Sequence, residues 1–228
     1  MRVEGSVGAD SPLPALRARV ESEVVDTLTR SALHGFLGSM PVEEQIDHAL
    51  GFVAAAEAAL GRAPTTAADL GTGGGVPGLI LHSCWPTCRL VLVDGNERRT
   101  DFLVAEVAGW TDGSEIMVVR GRAEEIGRDR TYRGTFELVT ARSFGRPSVT
   151  VECGAPLLSS GGVMVVSEPP GDDTERRWPE GGLEELGLSP LGRTRFDDRF
   201  GYQVLIKSEE TPERYPRRVG VPAKRPLF

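Results

Sequence analysis

The feature that most constrains this chain is a glycine-rich turn between an apolar strand and the start of a helix. Residues 69–78 read Asp-Leu-Gly-Thr-Gly-Gly-Gly-Val-Pro-Gly and begin at the end of a predicted strand, Thr66 to Leu70. Glycines let the backbone turn tightly and approach a ligand closely. The helix that follows begins with N–H groups that have no partner within the helix. The sequence therefore predicts a ligand-binding turn at one end of a sheet.

Beyond this turn, short apolar runs alternate with helical stretches. The predicted strands are Thr66–Leu70, Arg89–Val93, Glu115–Val119, Phe136–Thr140 and Gly162–Ser167. The predicted helices are Val76–Ser83, Asn96–Ala108, a short one from Ala123 to Ile126, and Pro147–Leu158. Strands and helices in alternation predict an α/β fold with a mostly parallel sheet covered by helices on both faces.

The two ends of the chain differ from this pattern. Apolar residues from Leu13 to Leu28 recur at helical spacing, and a second helix is indicated between Ser39 and Gly61. We therefore predict a helical segment at residues 1–61 and a ligand-binding domain at residues 62–228. Residues 168–187 predict a loop with a short helix at Leu183–Leu186. Two last strands, Arg193–Phe196 and Tyr202–Lys207, are predicted to flank a hairpin turn.

Composition excludes several classes of protein. The chain has 228 residues, 39% hydrophobic and 26% charged, which is ordinary for a globular protein. We find no apolar run of the ~20 residues that a membrane helix needs and no signal peptide, so we expect a cytoplasmic protein without a membrane partner. Three cysteines suit a reducing compartment. No metal site is predicted, because His82, Cys84 and Cys88 lack a fourth ligand nearby. Separately, we expect a monomer.

The glycine turn allows two ligands. Gly73-x-Gly75-x-x-Gly78, followed by Asp94, matches a dinucleotide fingerprint. Asp69-x-Gly71-x-Gly73-x-Gly75 matches a loop for S-adenosylmethionine, again with Asp94 on the ribose hydroxyls. A carboxylate at position 69 would repel a pyrophosphate but attract the ammonium and sulfonium of S-adenosylmethionine. We favour S-adenosylmethionine, held by Asp69, Gly71, Gly73, Gly75 and Asp94, over a dinucleotide or a turn without a ligand.

Several segments together resemble one family. They are Asp69–Gly78, Leu92-Val-Asp94 with Arg98-Arg99, Gly121-Arg-Ala-Glu-Glu125, Phe136–Phe144 with its Ala-Arg-Ser-Phe ending, and Tyr215–Leu227. In this order they resemble the ribosomal RNA small-subunit methyltransferase G family, also called glucose-inhibited division protein B, over roughly residues 65–228. The glycine turn alone is specific only for the class, whereas the combination is much more specific.

The resemblance implies a Rossmann-like class I methyltransferase fold, with a seven-stranded, mostly parallel sheet, an antiparallel last strand and N-terminal helices. It implies methyl transfer to N7 of a guanine in small-subunit (16S) rRNA, with the rRNA or the small ribosomal subunit as partner. The family's cofactor contacts map onto Gly71, Val76, Ala123, Glu124 and Arg142. Arg142 is also the predicted catalytic residue, since it could hold either the cofactor carboxylate or the guanine.

The predicted RNA contacts are basic residues near two helix or chain ends. They are Arg98 and Arg99 at the start of a helix, and Arg217, Arg218, Lys224 and Arg225 in the C-terminal tail. The N-terminal segment is acidic and lacks the basic stretch expected for the family, although His48 is a candidate for its histidine. Because phosphate contacts dominate affinity for nucleic acids, two alternatives stay open. They are a small-molecule or other RNA acceptor, and a non-catalytic RNA-binding module.

Overall fold

The computed structural model describes residues 11–110, 115–169 and 177–228. Seven strands within these ranges form one sheet, in the order β3-β2-β1-β4-β5-β7-β6. The strands are β1 Thr66–Leu70, β2 Arg89–Asp94, β3 Ile116–Arg120, β4 Phe136–Ala141, β5 Leu158–Glu168, β6 Leu188–Phe196 and β7 Phe200–Lys207. Strands β1 to β5 pair in parallel, and β7 pairs antiparallel with both β5 and β6. The predicted fold class is confirmed.

The helices lie on both faces of the sheet. They are α1 Leu13–Arg17, α2 Ser22–Leu33, α3 Val42–Leu60, α4 Gly78–Cys84, α5 Glu97–Val107, α6 Ala123–Ile126, α7 Pro147–Gly154, α8 Glu180–Glu184 and α9 Val221–Lys224. Neighbouring residues of one strand enter two different cores. In β2, Leu90 and Leu92 pack on the side of α3 and α4, while Val91 and Val93 pack on the side of α6 and α7. Burial on both faces explains why the central strands are apolar throughout.

Several predicted element boundaries are wrong, among them the start of β5, which was predicted at Gly162 and lies at Leu158. The continuous helical pattern from Leu13 to Leu28 is two helices, because the chain turns between Arg17 and Ser22. The helix predicted at Pro147–Leu158 ends at Gly154, and a 3₁₀ turn leads into β5 at Leu158. The short helix predicted at Leu183–Leu186 is α8, a turn earlier. Strand β6 begins at Leu188, five residues before the prediction.

Helix α3 attaches the N-terminal helices to the sheet. It packs beside β5, β6 and β7, and Phe52 and Val53 are fully buried. Gly51 permits this contact, because a Cβ atom there would lie 2.1 Å from the Tyr202 hydroxyl oxygen. That hydroxyl donates to the His48 carbonyl at 2.6 Å. The predicted boundary between residues 61 and 62 is thus crossed by one continuous core. In the described residues no helix is long and apolar enough to cross a membrane.

Candidate active site

A cavity of about 440 Å³ opens where the parallel strands end. Gly71 follows β1, Asp94 ends β2, and Ala123 and Glu124 follow β3. The segment after β4 closes the other side through Phe144. Ligands of open α/β sheets bind at this edge. Four residues predicted to bind the cofactor therefore line one cavity.

The glycine turn has a backbone conformation and close contacts that favour glycine at position 71. Gly71 has a φ of +67°, and an added Cβ atom would lie 2.7 Å from a ring carbon of Phe144. The Gly71 and Thr72 N–H groups donate to the Val93 carbonyl at 2.8 and 3.0 Å. The turn is thereby fixed to the end of β2, and the floor of the cavity stays free of side chains at position 71.

The Asp94 carboxylate is held by backbone donors. Its Oδ2 accepts from the Gly73 N–H at 2.9 Å and its Oδ1 accepts from the Asn96 N–H at 2.7 Å. A carboxylate has about four acceptor sites, so two of them stay open for a ligand's hydroxyl groups. Asp94 is 7% exposed and lines the cavity. This arrangement gives Gly73 a supporting position behind Asp94, outside the cavity lining.

Asp69 lies beneath the turn rather than in the cavity, which corrects its predicted contact with the cofactor. The carboxylate is fully buried, accepts from the Gly78 N–H at 3.0 Å and accepts from the Thr140 hydroxyl at 2.8 Å. It thus ties β1 to the start of α4 and to β4. Burial raises the pKa of Asp69 to about 6, against the opposing effect of these hydrogen bonds.

Two further predicted ligands also support the turn from behind. Gly75 has a φ of +102°, and its added Cβ would lie 2.6 Å from Leu79. Val76 is 6% exposed and belongs to the core beside α4. Neither residue lines the cavity. Both residues pack the turn on α4, and their contact with the cofactor stays a prediction.

Glu124 connects the cavity wall to the C-terminal tail. It lines the cavity, and its Oε1 accepts from the Gly220 N–H of the C-terminal tail at 2.9 Å. Ala223 in the following helix, α9, lines the same cavity. The tail therefore forms part of the wall, and Glu124 anchors it there.

Arg142 follows β4, where Ala141 pairs with Leu70 beside the glycine turn. Its guanidinium donates to the Gln45 side-chain oxygen, and its Nη1 has no hydrogen-bond partner among the described residues. Burial lowers the pKa of Arg142, and the charge of Asp69 opposes this effect. Arg142 does not line the cavity, so the structure places the predicted catalytic residue behind it, with one donor nitrogen unused.

The predicted RNA contacts divide into exposed and internal groups. Arg98, Arg218, Lys224 and Arg225 are exposed, whereas Arg99 is half-buried with an ion pair to Asp94 at 3.8 Å. Arg217 is a correction. Its Nε and Nη2 donate to Glu152 at 2.8 and 2.6 Å, and the Glu152 side chain is completely buried. Arg217 therefore holds the tail against α7, where its charge is paired with Glu152.

The sequence-based prediction missed several residues of the wall. Phe144 and Arg122 fell within segments that carried the resemblance, yet neither was proposed as a ligand. Arg146, Val149 and Cys153 gave no signal, and Ala223, although it lies in the segment Tyr215–Leu227 that carried the resemblance, was not proposed either. The first three come from the loop and helix after β4, and Ala223 arrives from the far end of the chain. Only the tertiary arrangement brings them together.

Comparison with known proteins places the chain among rRNA methyltransferases. The sequence model of the family described as rRNA small subunit methyltransferase G matches residues 39–175. The ribosomal RNA small subunit methyltransferase G of Carboxydothermus hydrogenoformans is 36% identical over 166 residues, covering 71% of this chain and 70% of that protein. The Thermotoga maritima protein of the same name is 37% identical over 168 residues, covering 72% and 69%.

Solved structures share the fold at low sequence identity. An O-methyltransferase of Bacillus cereus, in complex with SAH, superposes with a TM-score of 0.56 at 16% identity, covering 82% of this chain and 91% of that one. A branched-chain polyamine synthase of Thermus thermophilus gives 0.58 at 12% identity, covering 92% and 72%. Because the second protein is a synthase, the likeness to these structures shows the fold alone.

Proposed function

The chain belongs to the rRNA small subunit methyltransferase G family, which confirms the resemblance, and from this premise we propose that it methylates N7 of a guanine in small-subunit rRNA with S-adenosylmethionine as donor. The observation that carries the proposal is the cavity at the carboxyl edge of the sheet. Gly71, Asp94, Ala123 and Glu124 meet there in a chain of this family. The relatives are named as methyltransferases of small-subunit rRNA, and the N7 position follows from the family resemblance.

The residues of the cavity fit this cofactor. The open acceptor sites of Asp94 suit the two ribose hydroxyls, and the bare backbone at Gly71 leaves room that a Cβ atom would fill. Ala123 offers a small side chain beside an adenine ring. Arg142 has an unused donor nitrogen next to the glycine turn, which suits the cofactor's carboxylate. The ribose hydroxyls, the adenine ring and the carboxylate of the ligand are thus each assigned a complementary group in this chain.

The mechanism needs little acid–base chemistry from the protein. When bound, S-adenosylmethionine supplies a methyl group activated by its sulfonium. Guanine N7 carries a lone pair and no proton, so no general base is required. His48, the histidine near the site, has its pKa lowered to about 4 by burial and by the charge of Arg142, and it is neutral at pH 7. The residues of this chain therefore act by orienting the reactants and excluding water.

The exposed cations beside the site suit an RNA backbone. Arg98 lies over the Phe36 ring, with 5.8 Å between the guanidinium carbon and the ring centroid. Arg218, Lys224 and Arg225 lie on the tail that walls the cavity. The net charge of −7 opposes binding by the surface as a whole. Local cationic groups next to the cavity are therefore the proposed phosphate contacts.

The test combines cofactor binding with methyl transfer. Calorimetry should show saturable binding of S-adenosylmethionine and no binding of NADH. Small ribosomal subunits that lack the modification should then accept one radiolabelled methyl group per subunit. Cleavage chemistry specific for N7-methylguanosine would locate it. Binding of the cofactor without labelling of rRNA would point to a different acceptor, and binding of neither cofactor would refute the proposal.

A matched pair of variants tests the site itself. Asp94→Ala should weaken S-adenosylmethionine binding tenfold or more, about 1.4 kcal/mol. Asp101→Ala removes a carboxylate from α5, where the side chain is 70% exposed, and should leave affinity unchanged. Equal affinities for the two variants would remove Asp94 from the site.

A further inference from the structure

A second cavity of about 260 Å³ adjoins the first one. The two cavities share Phe144 and Gly145, in the segment after β4. The second cavity continues along the end of β5 to Glu168 and is closed by His48 of α3 and by Trp178. None of the mechanism described above uses Glu168 or Trp178. A ligand placed here would lie directly beside a ligand in the first cavity.

The polar groups of this second cavity are buried and only partly satisfied. The Glu168 side chain is 1% exposed, and its two oxygens accept from Nε and Nη2 of Arg177 at 3.1 and 3.3 Å. Each carboxylate oxygen can accept again. Trp178 is 5% exposed, and its indole N–H has no hydrogen-bond partner within the described residues. Two residues of the cavity lining thus keep unused capacity, the Glu168 carboxylate as an acceptor at each oxygen and the Trp178 indole as a donor.

Among the four RNA bases, this pattern suits guanine. Guanine carries two neighbouring N–H donors, N1–H and N2–H, on its Watson–Crick edge, and O6 as an acceptor beside them. Adenine, cytosine and uracil each present an acceptor next to a single donor on that edge. Proteins that recognise unstacked RNA bases hydrogen-bond this edge and stack the ring on aromatic side chains. Phe144 and His48 supply such side chains here.

We propose that the second cavity holds the acceptor guanine and that Glu168 selects it by accepting from N1–H and N2–H. The inference rests on the proposed function and deepens it. N7 lies on the opposite side of the purine from N1 and N2. A guanine held at Glu168 therefore presents N7 away from that carboxylate, toward the wall that the two cavities share. Arg177 holds the carboxylate in place through its two hydrogen bonds, and Trp178 donates to O6.

Binding of free nucleotides tests the inference without ribosomes. The protein is loaded with S-adenosylhomocysteine, and binding of guanosine 5′-monophosphate or inosine 5′-monophosphate is followed by ligand-observed NMR. Inosine lacks the 2-amino group. We expect saturable binding of the guanine nucleotide and at least tenfold weaker binding of the inosine nucleotide. Equal binding of the two, or no saturable binding of the guanine nucleotide, would overturn the assignment.

Two variants separate recognition from structure. Glu168→Gln keeps the size of the side chain but turns one acceptor into a donor, so it should bind both nucleotides equally. Glu180→Gln makes the same chemical change at an exposed position of α8 outside the cavity and should retain the preference for guanine. If Glu168→Gln keeps a tenfold preference, the proposal is wrong. If that variant fails to fold, the comparison of nucleotides on the wild-type protein still decides.

The outcome is distinguishable from a failure of the proposed function. A wild-type protein that prefers the guanine nucleotide but transfers no methyl group to rRNA would keep the pocket and refute the rRNA activity. A protein that methylates rRNA at guanine N7 but binds both nucleotides equally would keep the activity and refute the role of Glu168.

Discussion

The properties of single residues near the glycine turn follow from their surroundings more than from their type. Asp69 and Asp94 are both buried carboxylates at the ends of adjacent strands. Asp94 faces a cavity and keeps open acceptor sites, whereas Asp69 is enclosed between β1, β4 and α4. The same side chain therefore serves ligand binding at one position and the support of the turn at the other.

The enclosure of Asp69 predicts a pH-dependent stability. Since its pKa is raised from 3.8 to about 6, the folded protein retains a proton that the unfolded chain has released between these values. The contribution of this group to the free energy of unfolding is fully present below pH ~4 and is lost by pH ~6, up to about 3 kcal/mol. Asp69→Asn removes the titration. In urea unfolding, the free energy of unfolding of the variant should therefore increase relative to that of the wild type as the pH rises across this range.

A second carboxylate provides the control for that experiment. The hydrogen bond from Arg62 lowers the pKa of Glu137 to about 2, so its stabilising contribution is present above its ordinary pKa and is lost as the pH falls. The free energy of unfolding of Glu137→Gln should therefore decrease relative to that of the wild type as the pH rises from 4 to 6. A constant difference between wild type and Asp69→Asn from pH 4 to 7 would show that Asp69 titrates normally.

Replacing Gly71 should lower cofactor affinity, because the neighbouring Phe144 would have to move. Gly71→Ala adds strain at a φ of +67° and a contact of 2.7 Å with Phe144, which must move within the cavity. We expect at least tenfold weaker S-adenosylmethionine binding by calorimetry. Gly134→Ala is the matched control, because its φ is +70° and nothing lies within 4 Å of the added Cβ atom. It should lose about 1 kcal/mol of stability and no affinity. Equal affinities would exclude the displacement of Phe144.

At the scale of the elements, the sequence predicts what local periodicity determines. The five parallel strands and the glycine turn follow from apolar runs and from a motif that is read in a few consecutive residues. The break between α1 and α2 could not be predicted, because Leu16, Val24 and Leu28 keep a helical spacing across it. The role of Asp69 was equally hidden, since its partners Gly78 and Thr140 are brought together only by the sheet.

Adjacent arginines of the C-terminal tail should behave oppositely. Arg217→Ala would leave the completely buried carboxylate of Glu152 without its partner. Arg217 is itself one-quarter exposed, so we expect a loss of about 2 to 3 kcal/mol rather than the larger value for a fully buried pair. Because the tail carries Ala223 into the cavity wall, affinity for S-adenosylmethionine should fall as well. Calorimetric unfolding and cofactor titration measure the two effects.

Arg218→Ala is the control for the tail. Its side chain is exposed, so the melting temperature and the cofactor affinity should stay at wild-type values, while RNA affinity falls. Identical melting temperatures for Arg217→Ala and Arg218→Ala would show that the contact with Glu152 does not hold the tail.

At the scale of the whole molecule, charge sets how the protein meets RNA. A net charge of −7 repels a polyanion over most of the surface, so attraction must come from the cations beside the cavity. Binding of RNA weakens as salt rises, and each phosphate contact adds about 0.7 to 0.9 to the steepness of log affinity against log salt. Replacing Arg218, Lys224 and Arg225 with glutamate should therefore reduce the magnitude of this negative slope by about 2 to 3. Filter binding of small-subunit rRNA between low and moderate salt measures this slope.

Arg89 is exposed at the opposite edge of the sheet, where β2 begins, and Arg89→Glu should leave the slope unchanged. A similar loss of slope for Arg89→Glu would mean that RNA binds without regard to the cavity, and the cationic tail would lose its role in presenting the guanine.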